Sequence, residues 1–227
     1  MSYMKTKSEE LFDYYCELMQ YKCDEIQASP EHGKTPDRLV HAEGVTLIVE
    51  IKELTPNEDD KRQAEELARQ GMTVSNERPG KRIQEKIRKA APQLRKYRNK
   101  KVPLVLVLYD NIVLDGHIPN GFLEPHLVNF SMYGLQTEVF IQELNELKHI
   151  GSGRGGRRQT TPTERTYFSA IAILYEIDRH SPFLYVYHNY FAEVKLPFEV
   201  FSGHKDRHFV KSVHPNYTPQ QWTEVTL

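Results

Sequence analysis

The chain has 227 residues, 30 Lys+Arg against 31 Asp+Glu, and only two cysteines. At 39% hydrophobic and 27% charged it has the composition of a soluble globular protein, not a disordered one, and is long enough to bury a core of its own. No apolar run approaches the ~20 residues of a membrane-spanning helix, Met1–Leu11 lacks the apolar segment of a signal peptide, and Cys16 and Cys23 form neither a disulfide framework nor a zinc knuckle, which fits a reducing cytoplasm.

In chain order, the spacing of Leu11, Tyr14/Tyr15, Leu18 and Cys23, with Ser8 as cap, predicts a helix over Ser8–Gln27. Residues 29–35 read as a turn. Asp37–His41 and Val45–Leu54 alternate as two strands of a hairpin joined through Ala42-Glu43-Gly44. The charged stretch Thr55–Gly80 holds a helical segment around Asp60–Gln70. Ile83, Ile87, Ala90, Leu94 and Tyr97 form one stripe, so Lys81–Arg98 is a helix, and Pro92 predicts a kink or a restart within it. Pro103–Tyr109 is continuously apolar, the pattern of a strand buried on both faces.

The second half is less regular. Gly116–Gly121 reads as loop, Leu127–Tyr133 and Glu138–Gln142 as short strands, and Gly151–Arg158 as a flexible basic loop. Ser169–Glu176 and Phe183–His188 read as a strand pair, with a helix over Thr166–Tyr175 as the alternative. The polar tail from Ser202 receives no element. His204, Asp206 and His208 have zinc-compatible spacing but no accompanying cysteines, and His188 lies in an aromatic run that favours packing. No repeat or compositional break divides the chain. A single domain over 1–227 is expected, with an α/β core at about 8–111 and a C-terminal half, 112–227, of open role.

The chemistry concentrates in Lys34–Glu53. Side chains alternate along Val45–Leu54, so Glu50 and Lys52 share one face, and a hairpin partner brings Asp37 towards the Glu50 end. Two carboxylates at a strand end make a hard oxygen site suited to Mg²⁺. A lysine beside them can assist a bound water and stabilise charge on a phosphoryl oxygen. Taken singly, Asp37 reads sooner as a turn residue and Glu50–Lys52 as a cross-strand ion pair on a solvated face; the constellation is stronger than its members.

Pro36-Asp37 and Glu50-Ile51-Lys52, with twelve residues between the acids, resemble the PD-(D/E)xK nuclease superfamily. A helix before the hairpin and a helix then a strand after it are similar to that family's arrangement. Gln93-Leu94-Arg95-Lys96-Tyr97 is similar to the QxxxY of its RecB-like branch. The resemblance implies a restriction-endonuclease-like α/β fold, a central mixed sheet flanked by helices. It makes Asp37 and Glu50 metal ligands, adds the Ile51 carbonyl, and gives Lys52 the catalytic lysine's part. Glu9 or Glu10 would approach the metal from the first helix, and Gln93 and Tyr97 would join the site. The implied activity is Mg²⁺-dependent phosphodiester hydrolysis, with Mn²⁺ able to substitute and DNA favoured over RNA. The alternative is a non-catalytic nucleic-acid-binding or assembly protein that keeps the fold.

Charge location agrees with such a partner. Residues 1–80 hold 10 basic and 17 acidic side chains, residues 81–101 hold 10 and one, and residues 102–227 hold 10 and 13. A basic block of net +9 between acidic regions attracts phosphate whatever the total charge. Lys81, Arg82, Lys86, Lys89, Arg95 and Lys96 are its candidate nucleic-acid contacts, joined by Arg154, Arg157 and Arg158 of the glycine-rich segment. No membrane partner is expected. The oligomeric state stays open, a homodimer included.

Overall fold

The computed structural model describes residues 5–27, 34–71, 80–114, 121–143, 146–155, 158–176, 181–211 and 222–226. Among these residues eight strands form one mixed sheet in the order β1 (Lys22–Glu25), β2 (Arg38–Ala42), β3 (Val45–Leu54), β4 (Leu104–Asp110), β7 (Ala170–Glu176), β8 (Pro182–His188), β9 (Arg207–Val210) and β10 (Thr223–Val225). β5 (Leu135–Glu143) and β6 (Glu146–Gly155) pair separately as an antiparallel hairpin. β3, β4 and β7 run parallel through the middle, whereas β2 runs antiparallel to both its neighbours, β1 and β3. The last four strands of the large sheet therefore extend the framework that the first four begin.

Alternation on β4 builds two cores. Val105, Val107 and Tyr109 face α1 (Lys7–Leu18), where Leu11, Phe12, Tyr15, Val49, Ile51 and Phe201 complete one apolar cluster. Leu104, Leu106 and Leu108 face α3 (Lys81–Arg95), packing with Ile83, Ile87 and Leu94 of that helix and Ile48 and Leu54 of β3. A strand buried on both faces must be apolar throughout, which is why Pro103–Tyr109 carries no alternation. A second charged helix, α2 (Glu58–Gln70), begins at Asn57 with a reciprocal capping box to Asp60 and ends at Gly71 in the left-handed region.

Several sequence expectations are corrected. The first helix stops at Leu18, because Gln20 adopts φ 57° and turns the chain back; Cys23 lies on β1, opposite Val40 of β2. The Tyr21 ring then packs on Tyr15 and Phe201. α3 runs unbroken through Pro92, which sits on an exposed side of the helix where water can serve the carbonyl its ring leaves unpaired. Leu127–Tyr133 is not a strand but the body of α4 (Pro125–Tyr133), started by proline at its first turn and stopped by Gly134. Residues 151–155 are not loop but the end of β6, laddered against β5. β7 and β8 form the expected pair, and the polar tail supplies β9 and β10. The loop expected at 116–120 lies outside the described residues.

Leu106, fully buried at the centre of the sheet, tests this architecture. Leu106→Ala is expected to cost about 2–5 kcal/mol, read as a lower urea midpoint at unchanged m-value.

Candidate functional site

The hairpin places its acids as follows. β2 begins at Arg38, opposite Val49, so β3 continues beyond the end of its partner. The amide Asp37 N–H donates to the Val49 carbonyl (3.1 Å), and the Asp37 carboxylate takes the next position itself, Oδ2 accepting from the Ile51 N–H at 2.6 Å. Asp37 thus caps a β3 amide that the shorter strand leaves unpaired.

Glu50 lies on the α3 face of β3 with no exposed surface. Lys52, two residues on and on the same face, brings its ammonium against Glu50 Oε1. Lys52 Nζ also donates to the Ile51 carbonyl at 3.1 Å and lies 4.0 Å from Asp37 Oδ2. The three oxygens that the sequence nominates as cation ligands therefore surround one cationic group. Gln93 reaches the same place from α3: its amide donates to the Thr35 carbonyl (2.9 Å) and lies beside Glu50. Glu50 Oε1 takes the Lys52 ammonium, and Oε2 is left without a well-aligned hydrogen bond.

The electrostatics follow from that burial. Desolvation, then the nearby Asp37 carboxylate, push the Glu50 carboxyl from its ordinary 4.5 up to about 8, against the pull of Lys52. Desolvation also raises Asp37, opposed by the Lys52 charge and the Ile51 amide. Lys86 sits two turns before Gln93 on α3, Nζ donating to the Glu53 carbonyl at 2.5 Å. Its pKa is lowered by burial, then by the Lys89 and Lys52 charges.

The remaining candidates separate. Glu9 is buried and close enough for its charge to act on Asp37, while Glu10 points to solvent. The Glu9 carboxylate already closes a capping box with Thr6 and stands 3.8 Å from Arg38 Nη1. Tyr97 lies past the end of α3, half-buried against the α3-side core with Lys100 over its ring. In the basic block, Arg82 is buried and ion-paired to Asp60, so it does not belong to a solvated phosphate-binding face. Lys81, Lys89, Arg95 and Lys96 are exposed, and Lys96 Nζ donates to the Lys34 carbonyl. Arg158 is exposed and Arg154 falls in β6 opposite Gln136, while Arg157 lies outside the described residues. His204 lies on the approach to β9; its neighbours in sequence serve packing, Asp206 accepting from Tyr15 and His208 bonding His188 and the Phe201 carbonyl.

Sequence reasoning missed the support behind Asp37. Arg38, 2% exposed, holds Asp13 of α1 through Nε (2.6 Å) and Nη2 (2.9 Å), and its Nη1 donates to the Asp37 carbonyl at 2.9 Å. The signal was an arginine directly after the Pro-Asp pair and two acids, Glu9 and Asp13, spaced i,i+4 on the preceding helix.

Among the described residues no three His, Cys, Asp or Glu side chains converge as a metal-holding group. The candidate centre offers two carboxylates and one backbone carbonyl, a donor set that suits Mg²⁺, which commonly takes one or two carboxylates and completes its shell with water. The poorly hydrogen-bonded Glu50 carboxylate and the ammonium seated among the three oxygens both mark a place that favours a cation. No described helix is long and apolar enough to cross a membrane. Family models, curated proteins and solved structures provide no match to the chain.

The raised Glu50 pKa has a signed consequence. The folded state holds a proton on Glu50 that the unfolded chain releases near pH 4.5, so stability falls as pH rises from about 4.5 to about 8 and is level above. With divalent cations chelated, Glu50→Gln is expected to remove this fall. The stability difference between variant and wild type then moves in the variant's favour by roughly a few kcal/mol from pH 5 to pH 9, as followed by urea unfolding across that range.

Proposed function

We propose that the chain is a Mg²⁺-dependent nuclease of the restriction-endonuclease-like fold that hydrolyses phosphodiester bonds, with DNA the favoured substrate. The carrying observation is the convergence of the Asp37 and Glu50 carboxylates and the Ile51 carbonyl on one cationic position beneath a basic helix. The order of elements supports it: a helix, an antiparallel hairpin bearing both acids, then helices and a strand parallel to β3.

In this reading Asp37, Glu50 and the Ile51 carbonyl hold the metal. When bound, the metal supplies charge neutralisation at the phosphoryl group and a more acidic water. Mn²⁺, with similar oxygen preference, substitutes. Lys52 carries the positive charge closest to these oxygens, so it is placed to orient the attacking water and to stabilise the charge that builds on the phosphoryl oxygen. The water oxygen bonds to phosphorus and passes a proton to solvent, one ester P–O bond breaks, and the leaving oxygen takes up a proton from solvent. Gln93 fixes the Thr35 carbonyl two residues before Asp37 and thereby the approach of that acid. The exposed face of α3 attracts the phosphate chain.

Incubation of the full chain with plasmid, single-stranded DNA and RNA tests this. Cleavage is expected with Mg²⁺ or Mn²⁺ and not with chelator. Asp37→Asn and Lys52→Ala are each expected to lower the rate at least ~100-fold while the circular dichroism stays that of the wild type. Undiminished cleavage in both variants would place the site elsewhere, and no cleavage of any substrate with either cation would refute the activity.

A further inference from the structure

On the other side of α3 from Glu50, the helix and residues 163–167 border an open groove of about 820 Å³. Arg88, Arg95 and Lys96 of α3 and its C-cap, Arg98 beyond them, and Arg165 from the facing segment line it, against a single lining carboxylate, Glu164. Ala91, Pro92 and Tyr167 also line it, the last half-buried with its hydroxyl donating to the Ala91 carbonyl. Arg98 is neutralised by Glu193, and Arg88 lies 3.9 Å from Glu85. With Arg95 and Arg165 the lining carries far more positive than negative charge.

The facing wall is rigidly built. Gln159 and Thr160 donate their amides to the Ser131 and Met132 carbonyls at the end of α4. The Thr161 hydroxyl accepts from the Glu164 amide (2.9 Å), closing a turn. Arg165 follows in the left-handed region at φ 53°, a conformation that costs a non-glycine residue about 1 kcal/mol or more. The Phe168 amide donates to the Arg165 carbonyl, and Arg165 Nη1 donates to the Gln159 carbonyl at 2.8 Å. The chain thus holds a guanidinium at the groove from an unfavourable backbone state.

From these observations we infer that this groove binds the phosphate backbone of a single nucleic-acid strand, with Arg88, Arg95, Lys96 and Arg165 as its phosphate contacts and Tyr167 as a base platform. Arg88 and Arg95, two helical turns apart, are separated by about 10 Å along the axis. That spans about three nucleotides of a stacked strand at ~3.4 Å each. A concave, arginine-rimmed channel with an aromatic wall is the form single strands occupy, backbone on the cations and bases on the ring. The direction is also given. Lys96 borders the groove and bonds Lys34, and the next turn back along α3 carries Gln93, which bonds Thr35 and lies beside Glu50. A strand leaving the groove past Lys96 reaches the Asp37–Glu50–Lys52 centre; this route, though not the binding itself, rests on the nuclease reading.

Fluorescence anisotropy with a labelled oligothymidylate of about 20 nucleotides, longer than one such site, tests the inference on the full chain in chelator. For Arg88→Gln/Arg95→Gln/Arg165→Gln, affinity is expected to fall at least tenfold. The slope of log affinity against log salt should lessen by about 2, at ~0.7 per lost phosphate contact. Arg88→Gln/Arg95→Gln, which leaves the Arg165 turn intact, should lessen it by about 1.4. Lys22→Gln/Lys61→Gln, exposed and outside the groove, should change neither. Wild-type affinity and slope in both groove variants would overturn the inference, as would tighter binding of a blunt duplex of equal length. Loss of binding in the groove variants without cleavage by any protein would sink the nuclease reading alone. Metal-dependent cleavage with groove variants that bind normally would sink this inference alone.

Discussion

Glu50 occupies a row of the central sheet whose neighbours on the same face, Ile48 and Leu54, belong to the apolar core, and it has no exposed surface. An ion in such a place costs several kcal/mol unless its surroundings compensate. Lys52, on the same face, supplies one opposite charge, and Gln93 supplies an amide dipole. Asp37 then adds a second carboxylate, so the cluster carries one more negative charge than Lys52 neutralises when both acids are ionised. Without another cation, a proton is the simplest companion, and the raised Glu50 pKa expresses that. An assembly built only for stability would place a leucine at this position.

Asp37 can hold its awkward position because Arg38 is anchored from behind. The bidentate contact of Arg38 with Asp13 ties β2 to α1, and its third nitrogen fixes the Asp37 carbonyl. The same guanidinium lies close to Glu9, so two acids of α1, Glu9 and Asp13, are arranged around one buried arginine. Removing one member of such a network leaves an uncompensated buried charge, which is why its effect would reach the site through position, not through contact with substrate. The fold thus isolates two tasks on adjacent residues: Arg38 organises, Asp37 faces the centre.

Much of this was legible in the sequence where one local rule dominated. The hairpin, β4 and α3 declare themselves because alternation, an unbroken apolar run and a 3.6-residue stripe have few rival solutions. The Asp37–Glu50–Lys52 grouping was legible for the same reason, since strand alternation forces Glu50 and Lys52 onto one face. Where tertiary context decides, the reading failed. Helical spacing continued past Leu18 on paper, but a left-handed Gln20 turned Cys23 onto an edge strand. α4 was mistaken for a strand although Pro125 and Gly134 bracket it, because its apolar residues are too dense to display a stripe. Arg82, indistinguishable from its basic neighbours in sequence, proved to be the buried partner of Asp60. The groove could not be read at all, for its two walls are some seventy residues apart and meet only through packing.

The outermost strands of the large sheet have a bearing on how the protein behaves in company. β1 is four residues long, Lys-Cys-Asp-Glu, and β10 is three, Thr-Glu-Val, whereas the central strands β3, β4, β7 and β8 run seven to ten residues and are largely apolar. An eight-stranded sheet with a parallel, strongly hydrophobic centre would be a ready template for strands of other chains if it ended on one of its inner members. Ending on short segments that carry charge limits the backbone available for pairing and makes a foreign strand desolvate lysine or carboxylate to dock. The edges thus act as guards against intermolecular sheet growth, which lets the apolar middle of the sheet be as long and as uniformly hydrophobic as its packing requires.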